Sequence, residues 1–220
     1  WESVARKLAH EIKNPLTPIQ LSIDMLQNKF YKKITSGKDQ FKSYLSTINR
    51  QIKDIENLVN DFSSFARMPR PIFKTIEIDI VAQRAVNFYK MFSKNEIFLT
   101  IKKKKNIING DAEQLYRVFL NLIKNSEESI IEKKAKNQLF IGKINIEIDK
   151  NKDYIHVSLD DNGVGIKDTS KIMTPYFTTK KKGTGLGLPI VSKIINEHKS
   201  ELTILNNNPG VKAIIVFPKI

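Results

Sequence analysis

Two stripes of apolar residues, each with the period of an α-helix, occupy most of the first 65 residues. Both recur at steps of three and four, which places each stripe on one face of a helix. The first stripe contains Val4, Leu8, Ile12, Leu16, Ile19, Ile23, Leu26 and Phe30, and the second contains Phe41, Leu45, Ile48, Ile52, Ile55, Leu58, Phe62 and Phe65. Polar residues 35–39 separate the stripes, so the sequence predicts two long helices in an antiparallel hairpin.

A hairpin of this kind cannot bury both stripes by itself. The second stripe is close to a heptad seam, the pattern by which helices pair with helices. A second copy of the hairpin would cover what the first leaves in water. We therefore predict a homodimer in which two hairpins form a four-helix bundle.

Pro69 and Pro71 end the helical pattern, because two prolines in four residues prevent a helix from continuing. They predict a linker over 68–72, between a helical domain of residues 1–67 and a second domain of residues 73–220. The periods of the second domain are mixed, as in a layered α/β fold. Strands are predicted at 72–78, 96–101, 143–149, 153–160, 201–205 and 211–217, and helices at 79–93, 111–132 and 186–198.

The composition excludes several classes of function. No cysteine is present, so disulfides, zinc–thiolate sites and thiol catalysis are excluded. No apolar run approaches the roughly 20 residues that span a bilayer, and no signal-peptide pattern opens the chain. The start at Trp1 suggests a fragment, with any membrane segment upstream. The net charge is +14, but the basic clusters at 102–105 and 133–136 lack interleaved aromatic residues, so we expect most of this charge to be solvated surface and expect no nucleic-acid partner.

His10 lies in the run LAHEIKNPLTP. At about 100° per residue it is roughly 200° from the stripe residues on either side of it, which places it on the solvent side of the helix. An ordinary surface histidine and a reactive one both fit this position. Pro15 and Pro18 follow, and we expect them to weaken the helix just beyond His10.

The second domain contains residues suited to a nucleotide. Asn121 and Asn125 are four residues apart and share a helix face, and their carbonyl oxygens suit a hydrated magnesium ion that bridges phosphates. Asp161 ends a predicted strand, and its ionised carboxylate only accepts hydrogen bonds, as the exocyclic amine of adenine requires. Gly163 and Gly165 would let a ligand approach the backbone. Taken singly, surface asparagines and a tight turn explain the same residues.

A glycine-rich run, TPYFTTKKKGTGLGLPIV, leads directly into an apolar helix. Free backbone amides at a helix N-terminus bind phosphate, helped by the helix dipole. Pro189 fits the first turn of that helix. The run has neither the strand-first context of a Rossmann fold nor the Walker sequence. Lysines 180–182 are the one basic cluster that we expect to face phosphate.

The motifs HEIKNP, NLIKN, DNGVGI, PYFTTK and GTGLGL follow one another across nearly the whole chain. In this order and spacing the sequence resembles the sensor histidine kinases of two-component systems. Its opening residues and short lid are most similar to the nitrogen-regulation branch, the membrane-bound NtrY-like sensors. The resemblance implies a dimerisation and histidine-phosphotransfer hairpin, followed by an α/β sandwich of the Bergerat (GHKL) ATP-binding type.

The resemblance also implies roles for single residues. His10 matches the phosphoacceptor, Glu11 the acidic partner that orients and activates the ring, and Asn14 the group that positions water when the phosphorylated regulator is dephosphorylated. Asn125 matches the magnesium ligand, and Asp161 matches the aspartate that binds adenine. The residues matched to the ATP pocket and its lid are Asn121, Asn125, Asp161, Gly163, Gly165, Phe177, Lys180, Gly183, Thr184, Gly185, Leu186 and Gly187.

The sequence departs from the family pattern at three places. Ser126 stands where alanine is frequent, and Pro189 stands where alanine or serine is commoner. Lys199 and Ser200 follow His198, where many members have two glycines. None of these changes removes a reacting group, but we expect the turn after His198 to differ.

The implied reaction is autophosphorylation of His10 with ATP and Mg²⁺, followed by transfer to an aspartate of a response-regulator receiver domain that is NtrX-like by resemblance. Phosphatase activity toward that regulator is implied as well. The resemblance implies a cytoplasmic location for these residues and an anchor of the full-length protein in the bacterial inner membrane. Two alternatives stay open. One is a chaperone, gyrase or mismatch-repair ATPase, which would lack the HExxN helix. The other is a dimeric scaffold or phosphatase-biased regulator that holds ATP without efficient transfer.

Overall fold

The structure is a computed structural model that describes residues 2–66, 68–166, 168–180 and 183–220. The chain forms two compact units. The first comprises Trp1–Pro69 and Thr178–Leu186, and the second comprises Arg70–Phe177 and Gly187–Ile220.

The first unit contains two helices of 29 residues each, α1 over Glu2–Phe30 and α2 over Lys38–Ala66. Gly37 precedes α2 with a φ of +74°, a conformation that glycine adopts without steric cost. Its carbonyl accepts a hydrogen bond from the N–H of Phe41 at 2.9 Å, which starts the second helix. The predicted hairpin is therefore confirmed.

Each apolar stripe of the hairpin has a buried row and an exposed row. Leu16 and Ile23 of α1 form a buried cluster with Leu45 and Ile52 of α2, and Phe41 packs against it. The exposed row remains 41–45% accessible in the single chain, and its members are Leu8, Ile12, Ile19, Leu26, Phe30, Ile48, Ile55 and Leu58. The hairpin thus buries one row between its own helices and leaves the second row uncovered.

The described part of the second unit contains strands and helices in mixed order. In chain order they are β1 Lys74–Glu77, α3 Ile78–Lys90, β2 Glu96–Ile101, β3 Ile107–Gly110, α4 Ala112–Lys136, β4 Lys143–Lys150, β5 Tyr154–Asp161, α5 Gly187–Glu197, β6 Glu201–Asn206 and β7 Val211–Pro218. Five strands form one sheet in the order β2-β4-β5-β7-β6, in which β2 and β4 are parallel and the other neighbours are antiparallel. The helices contact this sheet, and the predicted α/β layers are confirmed.

Alternation along the strands gives the sheet one buried face. Every second residue of β4, β5 and β7 is buried, as the period of a strand requires. On the helical side, Tyr89 of α3 donates a hydrogen bond from its hydroxyl to the carbonyl of Leu120 in α4, at 3.2 Å. Burial raises the pKa of Tyr89 to about 12, so the hydroxyl keeps its proton and remains a donor.

One hydrogen bond joins the start of α4 to the end of α5, and a second lies within the end of α5 itself. His198 is buried, its Nε2 accepts from the backbone N–H of Asp111 at 2.9 Å, and its Nδ1 lies 2.8 Å from the carbonyl of Ile194. These partners require a neutral ring with the proton on Nδ1. Asp111 also caps α4, because its side chain accepts from the N–H groups of Glu113 and Gln114.

Strand β3 is absent from the sequence prediction. It pairs with β1 in a separate two-stranded antiparallel sheet, in which Lys74 lies opposite Gly110. Its four residues, IING, contain a glycine and an asparagine, which are depleted in strands. The pairing with β1 is what makes this segment a strand, and the local sequence does not indicate it. The other predicted elements of this unit are present, with ends displaced by at most four residues.

Candidate functional site

The candidate residues lie in two separate places, which are the helix of His10 and the strand ends and helix starts of the α/β unit. His10 is exposed in α1, whereas its neighbour Ala9 is only 3% exposed. Ala9, Leu16 and Ile23 are seven residues apart and form the buried row of α1. Among the residues that the structure describes, His10 has no hydrogen-bond or ion-pair partner. The predicted solvent-facing position of His10 is therefore observed.

Glu11 and Asn14 flank His10 on the same helix. The Glu11 carboxylate lies 3.9 Å from Lys7 Nζ, in an i, i+4 pair that is largely exposed. Adjacent residues of a helix do not face each other, so nothing in α1 directs Glu11 onto the His10 ring. Asn14 is exposed and one turn beyond His10, on the same helix face.

Pro15 and Pro18 lie inside α1 without ending it. A proline has no N–H, so the ladder of hydrogen bonds lacks the two donors that would reach the carbonyls of Glu11 and Asn14. The helix that follows the acceptor is therefore continuous but has fewer internal bonds than its length would allow. The expected weakening takes this form, and α1 has no break.

Asn121 and Asn125 meet the start of α5. Asn121 donates to the carbonyl of Arg117 at 2.9 Å, which leaves its side-chain oxygen available. A Cβ added to Gly187 would lie 3.2 Å from Asn121 Oδ1 and about 4 Å from the amide of Asn125. The backbone at the N-terminus of α5 thus lies directly against both asparagines.

The donor set around Asn125 fits a magnesium ion held jointly with phosphate. In the part of the chain that the structure describes, no group of three or more His, Cys, Asp and Glu residues could hold a metal ion. Magnesium binds oxygen, keeps several waters, and is often held by one or two protein groups together with substrate phosphates. Amide oxygens beside a helix N-terminus match that mode of binding and do not match an all-protein metal cage.

Asp161 is the buried carboxylate of the site, with an exposed fraction of 6%. Its Oδ1 accepts from the N–H of Gly163 at 2.8 Å, and its Oδ2 accepts from the hydroxyl of Ser126 in α4 at 2.9 Å. Gly163 has no space for a side chain, because an added Cβ would overlap Ser129 Oγ. Gly165 has a φ of +77°. Both glycines are therefore required by the local geometry.

Some residues around Asp161 had no place in the sequence prediction. Gly210 has a φ of +99°, and a Cβ there would overlap the carbonyl oxygen of Asp161. In the sequence, Ser126 stands out only as a departure from the family pattern. The sequence does contain a signal for Ser126, because its spacing from Ser129 and Lys133 places the three residues on one face of α4.

The predicted lid consists of the glycine-rich segment and the residues just before it. Phe177 is half-buried, and its N–H donates to the carbonyl of Thr174 at 3.2 Å. The N–H of Lys180 donates to Thr178 Oγ1 at 3.1 Å. Gly185 has a φ of +69°. The remaining predicted lid residues, Gly183, Thr184 and Leu186, are described with half-buried, half-buried and buried surfaces, respectively, whereas Lys181 and Lys182 lie outside the described residues.

Several lysines of the basic clusters have partners within the protein that the composition does not indicate. Lys102 pairs with Glu147 at 2.7 Å, and Lys103 lies 3.7 Å from Asp149. Lys133 donates to backbone carbonyls and lies over a phenylalanine ring. The expectation of solvated surface is therefore wrong for Lys133, whose ammonium group has a structural role. Its partners are far away in sequence, which is why composition could not reveal them.

Two family models match the chain. The model described as "Histidine kinase-, DNA gyrase B-, and HSP90-like ATPase" matches residues 110–220, half of the chain. The model described as "His Kinase A (phospho-acceptor) domain" matches residues 1–71. The chain therefore belongs to the histidine kinase-, gyrase B- and HSP90-like ATPase family and carries a histidine kinase phospho-acceptor domain ahead of the ATPase domain. The predicted Bergerat-type fold is confirmed.

Relatives of similar sequence identify the class of protein more closely. The chain is 39% identical over 212 residues to the "Putative sensor histidine kinase NtrY-like" of Rickettsia felis, a match that covers 94% of this chain and 34% of that protein. It is 35% identical over 213 residues to the "Nitrogen regulation protein NtrY" of Azorhizobium caulinodans, covering 95% and 27%. The chain is thus a phospho-acceptor and ATPase core of the sensor histidine kinase class, with NtrY-like relatives. The chain spans about a third of the length of the curated NtrY-like relatives that it matches.

A solved structure shares this fold. The histidine kinase ThkA, crystallised in complex with response regulator protein TrrA, aligns with a TM-score of 0.67 and 22% identity, covering 99% of this chain and 61% of that chain. At this identity the likeness supports the fold alone. No helix among the described residues is long and apolar enough to span a membrane.

Proposed function

We propose that the protein transfers the γ-phosphoryl group of ATP to His10 and then to an aspartate of a separate response regulator. The observation that carries this proposal is that a chain of the histidine kinase ATPase family contains both an exposed His10, which has no partner among the described residues, and a buried Asp161 carboxylate that accepts hydrogen bonds. The first feature suits a nucleophile that must be reached from outside. The second suits the exocyclic amine of adenine.

The chemical step is an in-line displacement at phosphorus. A neutral ring nitrogen of His10 forms the N–P bond, the bond from the γ-phosphorus to the bridging oxygen breaks, and ADP leaves with the electron pair. The proton on the other ring nitrogen is then lost to Glu11 or to water.

Positioning and charge neutralisation supply most of the catalysis in phosphoryl transfer. We assign adenine to Asp161 and the phosphates to the backbone amides at the start of α5 and in the glycine-rich lid, with Lys180 nearby in sequence. Asn125 would hold Mg²⁺ with Asn121 beside it, and the ion would neutralise charge on the phosphates. The lid residues proposed to contact the nucleotide are Phe177, Lys180, Gly183, Thr184, Gly185, Leu186 and Gly187.

The proposed partner is a receiver domain with an accessible aspartate, NtrX-like by the resemblance to NtrY-like relatives. Asn14 lies one turn from His10 on the same face, where its amide can orient water against a phosphorylated regulator. We propose that Asn14 supports phosphatase activity toward the regulator in this way. We also propose that these residues work in the cytoplasm and that the longer protein is anchored in the inner membrane.

A homodimer follows from the uncovered row of the hairpin. Eight apolar residues with the spacing of a helical seam are 41–45% exposed in the single chain. Such a row is covered when a second hairpin packs against it, as in a four-helix bundle. We therefore propose that His10 is presented by a dimeric bundle.

The experiment that tests the proposed function follows a labelled phosphoryl group. The purified chain is incubated with γ-labelled ATP and magnesium, beside the variant His10→Gln. We expect label that is stable in alkali and lost in acid on the wild type, and no label on the variant. Equal labelling of the two proteins would refute the role of His10. ATP hydrolysis without protein label would favour an ATPase of the gyrase or chaperone kind.

The phosphatase assignment has its own test. Asn14→Ala should leave labelling of His10 unchanged and slow the dephosphorylation of the regulator by about tenfold or more, because the oriented water is lost. Lys13→Ala, on the neighbouring position of the same exposed surface, is the matched control. Equal rates of dephosphorylation in Asn14→Ala and wild type would contradict the assignment.

A further inference from the structure

Strand β2 is an outer strand of the five-stranded sheet, and among the described residues no strand pairs with its far side. The N–H of Lys102, just past the strand, donates to the carbonyl of Ile148 in β4 at 3.0 Å. Alternate residues of a parallel strand face the same neighbour, so Leu99 and Ile101 direct their N–H and C=O groups away from β4. Both residues are only half-buried. The second half of β2 therefore offers backbone donors and acceptors to a further strand.

An open groove of about 500 Å³ lies between this edge and α3, and most of its surface is formed by apolar atoms. It is lined by Asp79, Ile80, Gln83, Arg84, Asn87 and Ile101. Asp79 and Asn87 are eight residues apart, so the groove follows α3 for about 12 Å. Side chains of a strand point alternately to the two faces of a sheet. Every second side chain of a strand that pairs with β2 would therefore enter the groove beside Ile101.

The wall of the groove that α3 forms presents amide groups. Gln83 Nε2 donates to Asn87 Oδ1 at 2.8 Å. Within the described ranges, the oxygen of Gln83 and the NH2 group of Asn87 have no hydrogen-bond partner. Between them, Arg84 is held by an ion pair with Glu113, and its Cζ lies 4.0 Å from the centroid of the Tyr116 ring. The wall thus offers one acceptor and one donor, which are the two functions of a peptide group.

The surroundings of the groove are basic at both ends. Two exposed lysines lie just before β2 and two just after it, and none of the four has a carboxylate partner in the described part of the chain. They are Lys90, Lys94, Lys104 and Lys105. The nearby carboxylates are engaged, because Asp79 accepts from Asn106 and Glu96 pairs with Lys143. Acidic groups at the ends of an incoming segment would be attracted, whereas a second copy of this edge would bring lysines against lysines.

We propose that the groove and the open edge of β2 form a docking site for an extended segment of a partner protein, with alternating apolar residues between acidic ends. The backbone of the segment pairs with Leu99 and Ile101, its apolar side chains enter the groove beside Ile80, and its acidic ends face the lysines. In this mode of recognition, main-chain hydrogen bonds give affinity and pockets for alternate side chains give specificity. The site contains no residue assigned to the nucleotide or to phosphoryl transfer, so the inference is independent of the proposed function.

The binding experiment uses a fluorescein-labelled peptide, Glu-Asp-Val-Thr-Val-Thr-Val-Asp-Glu, and measures its anisotropy with the full chain. We expect saturable binding that weakens as salt is added. Ile80→Glu places a charge in the groove, on a side chain that is 65% exposed, and should weaken binding by at least about tenfold. The matched control is Leu205→Glu, which adds the same charge at a 48% exposed position of β6, the opposite outer strand. It should bind the peptide as wild type does.

Hydrogen exchange followed by NMR locates the contact. With peptide bound, the amide protons of Leu99 and Ile101 should exchange more slowly, while those of Thr100 and Lys102, which face β4, should be unaffected. An unchanged exchange at Leu99 and Ile101 would overturn the proposal even if Ile80→Glu proved unstable in a melting experiment. So would an absence of binding at about 1 mM peptide, equal binding by wild type and a folded Ile80→Glu, or equal binding of a peptide with lysine at each acidic position. Weaker self-association of Ile80→Glu without peptide binding would assign this face to a second copy instead.

Discussion

The hairpin and the α/β unit bury their apolar residues to different extents. In the hairpin, Leu16 and Ile23 are covered, while residues one turn away, such as Ile12 and Ile19, remain more than 40% exposed. In the α/β unit, every second residue of the central strands is buried, and Phe217 is 1% exposed. The sheet of the α/β unit thus closes its core within one chain, whereas the hairpin leaves a regular row of apolar residues uncovered.

The same contrast applies to the chemistry. His10 has no partner among the described residues, and an unpartnered group is free to meet a donor and then a regulator. Asp161 is held by hydrogen bonds to both of its oxygens. In the proposed function the nucleophile is the accessible group and the nucleotide pocket is the rigid one. Three substitutions test how far this contrast extends, in order of decreasing expected effect.

The largest effect is expected in the core of the α/β unit. Phe217→Ala removes a fully buried ring from β7 and should lower the free energy of unfolding by about 3–5 kcal/mol. Denaturant unfolding followed by circular dichroism measures the change. Phe98→Ala, on a ring that is 48% exposed, should cost much less. Similar losses for the two variants would show that this core is not closed in the single chain.

The second effect concerns the uncovered row of the hairpin. Ile48→Asp places a charge where a second copy is proposed to pack, and it should weaken dimerisation by at least about tenfold, or 1.4 kcal/mol. Ser46→Asp carries the same charge about 200° away around α2 and should leave dimerisation unchanged. Sedimentation equilibrium measures both. A dimer of undiminished strength in Ile48→Asp would place the interface elsewhere.

The third and smallest effect is expected at the cap of α4. Asp111→Ala should cost about 1 kcal/mol of stability, because two N–H groups of α4 lose their acceptor. Ile72, whose N–H donates to Asp111 Oδ2 at 2.8 Å, loses a partner as well. Asp111→Asn keeps a capping oxygen for Glu113 and Gln114 but places its NH2 group against the N–H of Ile72, so its loss of stability at neutral pH should lie between those of wild type and Asp111→Ala. Thermal unfolding compares the three proteins.

Asp111 also predicts the direction of a pH dependence. Desolvation raises the pKa of its carboxyl group, but the N–H donors of Ile72, Gln114 and Glu113 outweigh it, so that the pKa is lowered overall. The stabilisation is therefore complete above the ordinary value for a carboxyl group and is lost as the pH falls through the lowered value. Asp111→Asn should lack this acid-dependent part. An identical acid limb in wild type and variant would contradict the assignment.

Periodicity was sufficient to predict most elements of this fold. The apolar rows of α1 and α2 and the alternation in β4, β5 and β7 are local signals, and the elements lie where those signals indicated. Strand β3 depends on a partner more than thirty residues away, at Lys74–Glu77, and its own residues carry no strand signal. Elements that are defined by pairing alone could not be predicted from one segment.

The residues of the candidate site likewise differ in how well the sequence alone predicts them. His10, Asn125 and Asp161 stand in motifs that are readable in sequence, because their spacing reflects one helix turn or one strand end. The contacts of Ser126 and Lys133 with residues 161–163 span about thirty residues of chain. Sequence patterns identify the candidate functional groups, whereas the residues that hold Asp161 and the backbone after it become apparent only when α4 and β5 are packed together.

Helix α5 contacts α4 or its N-cap at both of its ends. Its first residue, Gly187, lies against Asn121 and Asn125, and His198, just past its last turn, bonds to Asp111. The 11 residues of α5 span about 16 Å, close to the rise of α4 from Asp111 to Asn121. We therefore expect the two helices to open together and neither end to open alone. Amide protons in the facing turns should exchange with solvent only when the whole domain unfolds.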